Sequence, residues 1–253
     1  MQADVFDYFA GLVTGQFDDE QRRSTRSDTI ITFNYDLVLD HALSRMGIQA
    51  NYHLNVASPT QPDDRQTCSL LKLHGSANWA TCTGCGTAFI VPGKITEHPA
   101  DFRSLRCGAC GDDPVHILLI PPSWDKSEYR ELLKRVWAKA IEELSAATRI
   151  CIIGYSLPEV DAFFKYLLTL ALSENHRLYK LIVVDYGPDA MEVLATTRNR
   201  SPVEERYRSL LDPLFQERRF SFHPEGFVSF LANHQTCLDL GRGEMISGNF
   251  RQV

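Results

Sequence analysis

A histidine and two cysteine pairs stand out as residues that could do chemistry. His74 ends the apolar run LLKL, and the pairs Cys82 with Cys85 and Cys107 with Cys110 follow it. A histidine in this position can be a metal ligand, a satisfied core residue or the general base of an enzyme. The spacing of the cysteines bears directly on the first of these interpretations.

The two pairs have the C-x-x-C spacing of metal-binding knuckles, with 21 residues between them. The chain has seven cysteines and no secretion signal, so reduced thiols and a metal are favoured over disulfides. Four thiolates complete a tetrahedral zinc site and leave no open position for chemistry. We therefore expect Cys82, Cys85, Cys107 and Cys110 to bind structural zinc, and His74 is not needed as a ligand.

Polar residues also follow three apolar runs that predict strands. These strands and the residues after them are TIITF (29–33) with Asn34 and Asp36, SLLKL (69–73) with His74, and RICII (149–153) with Gly154 and Ser156. In a parallel sheet, such strand ends meet at the edge where ligands bind. Ser156 and Glu159 additionally predict a capping box at a helix start, a geometry that also suits phosphate. Asn34 has the alternative of capping the helix that begins near Asp36.

Helical and strand patterns alternate along the chain and define the fold class. Further strands are predicted at HILLI (116–120) and KLIVVD (180–185), and helices at Asp36–Met46, from Leu132 to Leu144 and from Val160 to Ala171. This order predicts an α/β fold with a doubly wound, Rossmann-like parallel sheet. Amphipathic patterns near both ends of the chain predict additional helices.

The cysteine block interrupts the α/β pattern and divides the chain. We expect an α/β domain formed by residues 29–80 and 112–200, with a small zinc-binding module at 81–111 inserted into it. Helical segments at 1–28 and 201–253 complete the predicted organisation.

Charge and hydropathy argue against two classes of partner. The chain of 253 residues has a net charge of -6, so it has no general attraction to nucleic acid. No basic segment followed by an apolar core opens the sequence, and no apolar run is long enough to cross a membrane. We therefore expect a cytoplasmic protein that binds neither nucleic acid nor membranes.

The order and spacing of these motifs resemble the sirtuin family, and in particular its divergent sirtuin-like domains with a GYSLP motif. The resemblance is carried by Thr32-Phe33-Asn34-Tyr35-Asp36, Leu73-His74-Gly75, the two cysteine pairs, Gly154-Tyr155-Ser156-Leu157 and Asp185. Sirtuins bind NAD between a nucleotide-binding domain and an inserted zinc module, and they cleave its nicotinamide glycosidic bond. The resemblance thus implies NAD as co-substrate and zinc as the metal.

The resemblance also implies a role for each matched residue in the first half of the chain. His74 would be the base that deprotonates a ribose hydroxyl, Asn34 would orient ribose or water, and Asp36 would contact the nicotinamide amide. A neutral imidazole suits the role of base near neutral pH.

Three residues from the second half of the chain would hold the cofactor. Gly154 and Ser156 would line the phosphates and the adenosine ribose. Asp185, where the family often has asparagine, would accept hydrogen bonds from ribose hydroxyls and repel a 2′-phosphate, which favours NAD over NADP. Together with Asn34 and His74, these residues are expected to line one cleft at the carboxyl ends of the strands.

Two departures from the family bear on the reaction. No strand with a Gly-Ala-Gly loop precedes Thr29, and ILLIPPSW (117–124) replaces the Phe-Gly-Glu segment that helps sirtuins hold acylated substrate. Because the segment that would hold an acylated substrate is altered, we expect water, and not an acyl-lysine, to accept the ADP-ribosyl group of NAD. The expected enzyme is therefore an NAD hydrolase. One alternative is an NAD-dependent protein-lysine deacylase, whose partner would be an acylated protein. Another is a non-catalytic module or truncated scaffold that binds NAD, ADP-ribose or further domains of a longer chain.

Overall fold

The chain is divided into two units, which span residues 1–140 and 141–253. A computed structural model describes residues 5–18, 28–54, 67–91, 106–111, 115–119, 130–159, 161–185, 201–211 and 219–233. The boundary between the units falls within one long helix. Among the described helices, none is long and apolar enough to cross a membrane.

The first unit contains two small sheets and the helices around them. Its helices are α1 (Val5–Val13), α2 (Val38–Arg45) and the first part of α3 (Arg130–Ala146). Its strands are β1 (Thr29–Thr32), β2 (Gln49–Asn51), β3 (Thr67–Lys72), β4 (Gly75–Cys82), β5 (Ala88–Ile90) and β6 (Val115–Leu119). The part of ILLIPPSW beyond Leu119 lies outside the described residues.

A parallel sheet with the order β1-β3-β2 confirms that TIITF and SLLKL are neighbouring strands. Strand β3 lies in the centre, and its residues Leu70 and Leu71 are fully buried, as expected for a strand covered on both faces. The apolar core joins these leucines to Leu43 of α2 and to Leu133 and Val136 of α3. Helices α2 and α3 therefore bury apolar residues in the same core as the central strand.

The second sheet of this unit has the order β5-β4-β6 and is antiparallel. It corrects the expectation that HILLI belongs to the parallel sheet, because most of these residues form β6 and pair with β4. Its partner β4 is a strand that the sequence does not predict. Its residues GSANWATC include few of the β-branched and large aliphatic side chains that mark a strand.

The second unit has a parallel sheet with the order β7-β8-β9. Its strands are β7 (Arg149–Ile153), β8 (Lys180–Val184) and β9 (Phe220–His223), and its helices after α3 are α4 (Ala162–Ser173), α5 (Pro202–Leu211) and α6 (Gly226–Asn233). RICII and KLIVVD are confirmed as strands, whereas β9 is not predicted by the sequence. With parallel sheets in both units and helices between the strands, the α/β, Rossmann-like fold class is confirmed.

The helix after β7 does not begin at Ser156, which corrects the predicted capping box. Helix α4 begins at Ala162, and its N-cap residue Asp161 accepts a hydrogen bond from Phe164 N at 3.2 Å. A cap at Ser156 would put Leu157 in the first helical position, but the residue before a proline is disfavoured in the helical conformation. Leu157 instead has a φ of 51°.

The alternative role of Asn34 as a helix cap is also wrong. Helix α2 begins at Val38, and its N-cap residue is Leu37, which makes no side-chain cap hydrogen bond. Asp36 Oδ1 instead accepts a hydrogen bond from Val38 N at 3.0 Å, so this carboxylate closes the turn before the helix. The other end agrees with the sequence, because Gly47 follows the helix with a φ of 72°.

A closed ring of polar contacts joins β3, β4, α2 and the end of β2. Lys72 is 1% exposed, and its ammonium lies 2.6 Å from Asp40 Oδ2 and donates to Ser76 Oγ at 2.9 Å. Ser76 donates to Asn78 Oδ1 at 2.6 Å, and Asn78 Nδ2 donates to the Tyr52 hydroxyl at 3.4 Å. Tyr52 in turn donates to Asp40 Oδ1 and completes what we call the Lys72 ring.

The Lys72 ring compensates a charge that is buried in an apolar strand. Burial lowers the pKa of the Lys72 ammonium below its ordinary value, and the Asp40 carboxylate offsets part of that effect. Burial, and then the charge of Asp40, raises the pKa of the Tyr52 phenol, which therefore remains a donor at neutral pH. The Asp40 carboxylate thus meets the ring through one oxygen that accepts from Tyr52 and another that forms only the ion pair with Lys72.

Replacing Lys72 by methionine should lower the free energy of unfolding by about 3–5 kcal/mol, because Asp40 then loses its buried counter-ion. Urea denaturation followed by circular dichroism measures this difference. Arg45→Ala is the matched control, since Arg45 Nε donates to Asp7 at 2.8 Å but its side chain is 50% exposed. Loss of this exposed pair should cost less than about 1 kcal/mol. Equal costs for the two substitutions would contradict the structural role of the Lys72 ring.

Candidate functional site

Two neighbouring strand ends bring the predicted catalytic residues to one edge of the β1-β3-β2 sheet. Thr32 and Lys72 lie side by side at the ends of β1 and β3, and Leu73 N donates to Thr32 O at 2.9 Å. The segments that follow, which carry Asn34 and His74, therefore leave the sheet at the same place. This is the carboxyl edge, where parallel sheets bind their ligands.

The backbone of the segment after β1 is held from three sides. Asn34 N donates to a threonine hydroxyl of β1 at 3.0 Å, and Ala77 N of β4 donates to Tyr35 O at 2.8 Å. Lys72 Nζ donates to Asp36 O at 2.6 Å. The side chains of Asn34, Tyr35 and Asp36 are all exposed. A fixed backbone thus presents an amide and a carboxylate to solvent.

His74 lies in the tight turn between β3 and β4. Its side chain is half-buried, and the centroid of its ring lies 5.2 Å from that of Phe33. Gly75 follows with a φ of 84°, a left-handed conformation that favours glycine. A Cβ atom at Gly75 would also collide with the carbonyl oxygen of Leu118 and lie 2.9 Å from its carbonyl carbon. Glycine therefore permits the close approach of β6 to the turn that positions His74.

In the second unit, Gly154 and Asp185 follow neighbouring strands. Gly154 N donates to Val184 O at 2.9 Å, and Asp185 N donates to His223 O at 3.1 Å. Gly154 has a φ of 65°, which turns the chain away from β7. Ser156 is exposed two residues later, and Asp185 is half-buried. The structure thus brings the predicted cofactor residues to the carboxyl edge of the β7-β8-β9 sheet.

Helix α5 contributes two contacts to this edge that sequence reasoning missed. Arg206 Nε donates to Ser156 O at 2.9 Å, and the Tyr207 hydroxyl donates to Tyr155 O at 2.7 Å. Burial, and then the charge of Asp185, raises the pKa of the Tyr207 phenol above its ordinary value. The sequence separations are 50 and 52 residues, and an ordinary amphipathic helix pattern does not mark such contacts.

The four predicted metal ligands converge in the first unit. The Sγ atoms of Cys82, Cys85, Cys107 and Cys110 all lie within 4.8 Å of one another. The distances from Cys82 Sγ to Cys110 Sγ and from Cys85 Sγ to Cys107 Sγ are both 3.6 Å. Four sulfurs bound tetrahedrally at about 2.3 Å from one zinc ion would be about 3.8 Å apart. The group therefore fits a tetrahedral thiolate site for a metal ion.

The two cysteine pairs adopt the same turn. Gly86 N donates to Cys82 O and Gly111 N donates to Cys107 O, both at 2.8 Å. The two glycines have positive φ angles of 70° and 78°, as such turns require. Hydrogen bonds with the side chain and backbone of Thr87 lower the pKa of the Cys85 thiol to about 6, which favours the thiolate that ligates metals.

The sequence profile of the SIR2-like domain matches residues 28–211 of this chain. The matched range includes the strand ends after β1, β3, β7 and β8, all four clustered cysteines and helix α5. The chain therefore belongs to the SIR2-like domain family.

Solved structures of Sir2 enzymes are also similar to this chain. One, from a study of the structural basis of sirtuin substrate affinity, is 15% identical with a TM-score of 0.47, and the match covers 94% of this chain and 68% of that one. A Sir2 complex with a p53 peptide and NAD+ is 16% identical with a TM-score of 0.40, covering 83% and 68%. A Sir2 complex with the inhibitor EX-527, 2′-O-acetyl-ADP-ribose and a deacetylated p53 peptide is 15% identical with a TM-score of 0.39, covering 83% and 71%. Among curated proteins, none matches the chain.

Gly75→Ala should destabilise the protein more than Gly47→Ala. Both glycines have positive φ angles, so each substitution carries a backbone cost of about 1–2 kcal/mol. A Cβ atom at Gly47 would meet nothing within 4 Å, whereas one at Gly75 would collide with Leu118. The collision should add at least about 1 kcal/mol to the loss of unfolding free energy measured by urea denaturation. Equal losses would contradict the close approach of β6 to this turn.

The native protein should contain one equivalent of metal, and Cys107→Ala should lose it. The melting temperature should fall together with the metal content, because metal binding in such knuckles is coupled to folding. Plasma mass spectrometry and calorimetry measure the two quantities. Cys151→Ala, which alters a half-buried cysteine of β7, should keep the metal. Native protein without bound metal would contradict the assignment of the four cysteines.

Proposed function

We propose that the chain is an NAD-consuming enzyme that cleaves the bond between nicotinamide and ribose, with water as the acceptor. Membership of the SIR2-like domain family supports this proposal. The observation that carries it is that the segments with Asn34, Asp36 and His74 leave a parallel sheet at the same edge. The reaction needs polar groups to orient the ribose and a base to accept a proton, and these side chains supply both.

His74 is assigned as the general base. Loss of nicotinamide leaves positive charge on the ribose, and the attacking water or a ribose hydroxyl must then give up a proton. A neutral imidazole can accept that proton near neutral pH. Its half-buried position against Phe33 limits the orientations of the ring while leaving part of it accessible.

Asn34 and Asp36 are assigned to orienting the reactants. The amide of Asn34 can both donate to and accept from a ribose hydroxyl or a water molecule. The carboxylate of Asp36 can accept a hydrogen bond from the nicotinamide amide. Because their backbone is already held by Lys72 and β4, less conformational entropy is lost when the substrate binds.

Gly154, Ser156 and Asp185 are assigned to binding NAD. Ser156 is exposed and offers a hydroxyl to the phosphates or the adenosine ribose. Asp185 can accept hydrogen bonds from ribose hydroxyls, and its negative charge would repel a 2′-phosphate, so NAD is favoured over NADP. Gly154 allows the sharp turn by which the chain leaves β7.

The metal of the four-cysteine site is proposed to be zinc. Four thiolates in tetrahedral geometry are the ligands and the arrangement that structural zinc sites prefer. With four protein ligands, the ion would have no open position for substrate. Its proposed contribution is therefore to fold the cysteine turns, and the chemistry is left to other residues.

Product analysis distinguishes water from an acyl-lysine as the acceptor. The protein is incubated with NAD, with and without an acetyl-lysine peptide, and the products are separated by chromatography and identified by mass spectrometry. Free ADP-ribose formed without peptide supports the hydrolase. O-acetyl-ADP-ribose formed only with peptide would replace it by the deacylase, and binding of NAD without release of nicotinamide would indicate a binding module.

His74→Ala should reduce the rate of nicotinamide release by about 10²- to 10⁴-fold, which is the usual cost of losing a general base. The affinity for NAD, measured by calorimetry, should change little. Asn34→Ala should act in the same direction, because it orients the same ribose. His41→Ala is the matched control, since His41 is an exposed histidine of helix α2 and should be dispensable. Unchanged release by His74→Ala would show that His74 is not the base.

A further inference from the structure

The loop after β7 contains two backbone donors that have no acceptor in the described part of the chain. These are the N–H groups of Ser156 and Leu157. Both follow Gly154, which leaves the carboxyl edge of the β7-β8-β9 sheet. Ser156 is exposed and Leu157 is buried, so the two donors lie where the loop passes from the surface into the core, and both remain available to a ligand that supplies an acceptor.

The carbonyl groups of the same loop are bound by helix α5. The Tyr207 hydroxyl donates to Tyr155 O at 2.7 Å, and Arg206 Nε donates to Ser156 O at 2.9 Å. Tyr207 is fully buried, so its hydroxyl is held in one position. Two adjacent residues of α5 thus hold two adjacent carbonyls of the loop.

Peptide geometry determines where the two N–H groups point. In a trans peptide, a carbonyl and the N–H of the next residue point in opposite directions, and no cis peptide occurs among the described residues. Because Tyr155 O and Ser156 O are directed to α5, the N–H groups of Ser156 and Leu157 are directed away from it. Successive backbone donors that face the same side form a concavity that binds anions.

Leu157 adopts a conformation that needs support from its surroundings. Its φ is 51°, in the left-handed region that is unfavourable for a residue with a branched side chain, and its side chain is fully buried. Strained residues of this kind persist where the surrounding structure holds them, and they are frequent at ligand clamps. Burial of Leu157 and the two contacts from α5 provide that support here.

We propose that Arg206 and Tyr207 are positioning residues that direct the N–H groups of Ser156 and Leu157 towards the diphosphate of NAD. This inference rests on the proposed function, because it takes NAD as the ligand. The diphosphate is the anionic part of NAD, and backbone N–H groups are suitable donors for it. The Nη groups of Arg206 have no acceptor among the described residues, so the guanidinium also supplies positive charge beside the loop.

Two groups beside the loop already have hydrogen-bond roles of their own. The carboxylate of Asp161 already accepts hydrogen bonds from Phe164 N and from the Tyr155 hydroxyl. Burial, and then the charge of Asp185, raises the pKa of Tyr207, so its hydroxyl remains protonated and continues to donate at neutral pH.

Isothermal titration calorimetry of the full chain with ADP-ribose and with adenosine tests the inference. Tyr207→Phe removes only the hydroxyl, and it should weaken binding of ADP-ribose roughly three- to tenfold, as expected for one net hydrogen bond. Binding of adenosine should not change, because adenosine has no phosphate. Arg206→Gln should show the same selectivity with a larger effect, because it also removes a positive charge.

A spectroscopic measurement separates positioning from general stability. When isotope-labelled protein is titrated with inorganic pyrophosphate, the amide signals of Ser156 and Leu157 should shift in the wild type and shift less in Tyr207→Phe. Arg208→Gln is the control on the same helix, since Arg208 Nε donates to Glu204 at 2.8 Å and its guanidinium lies over the ring of Phe220. This variant should lower the melting temperature without changing the affinity for ADP-ribose.

The outcomes distinguish this inference from the proposed function. Equal affinity of the wild type, Tyr207→Phe and Arg206→Gln for ADP-ribose would overturn the inference, and so would equal weakening for adenosine. A wild type that binds ADP-ribose with the expected variant effects but releases no nicotinamide from NAD would refute the proposed reaction and leave the inference intact. A wild type that binds neither ADP-ribose nor pyrophosphate would refute both.

Discussion

The arrangement of the first unit depends on the buried ammonium group of Lys72. A lysine in the central strand of an apolar sheet is tolerated only when its donors are satisfied, because an unpaired charge there would be very costly. It forms an ion pair with Asp40 of α2 and donates hydrogen bonds to Ser76 of β4 and to the backbone oxygen of Asp36. Helix α2, the sheet that contains β4 and the segment after β1 must therefore all lie close to the ammonium group of Lys72. Apolar packing alone tolerates more arrangements than this set of directed contacts does.

Both units use side-chain donors to hold the backbone carbonyls of a strand-end segment. In the first unit, Lys72 binds Asp36 O, and in the second, Arg206 and Tyr207 bind Ser156 O and Tyr155 O. Once its carbonyls are held on one side, a segment can present its remaining groups on the other. The first segment presents side chains that suit chemistry, and the second presents N–H groups that suit an anion. The irregular segments after β1 and after β7 are thereby held in one conformation by side-chain hydrogen bonds, although neither segment belongs to a helix or a strand.

Much of this arrangement could be predicted from the sequence, because its signals are local. Apolar runs mark β1, β3, β7 and β8, the polar residues directly after them mark Asn34 and His74, and C-x-x-C spacing marks the cysteine turns. Strands β4 and β9 lack such a signal. Their sequences, GSANWATC and FSFH, are extended because they pair with the neighbouring strands β6 and β8. The Lys72 ring had one available signal, a lysine inside the apolar run SLLKL, but its partners lie far along the sequence and only the fold identifies them.

Two similar tetrapeptides show why a local pattern can mislead. SLPE at 156–159 and SPVE at 201–204 both match a helix-capping sequence, but only Ser201 caps a helix, accepting from Glu204 N at 3.0 Å. In SPVE the proline occupies the first helical position, which it favours, whereas in SLPE it follows Leu157 and excludes that residue from the helix. Helix α4 consequently starts at Ala162, with Asp161 and not Ser156 as its N-cap residue. A single proline thus decides that the described loop after β7 offers backbone N–H groups, and not a helix start, at this edge.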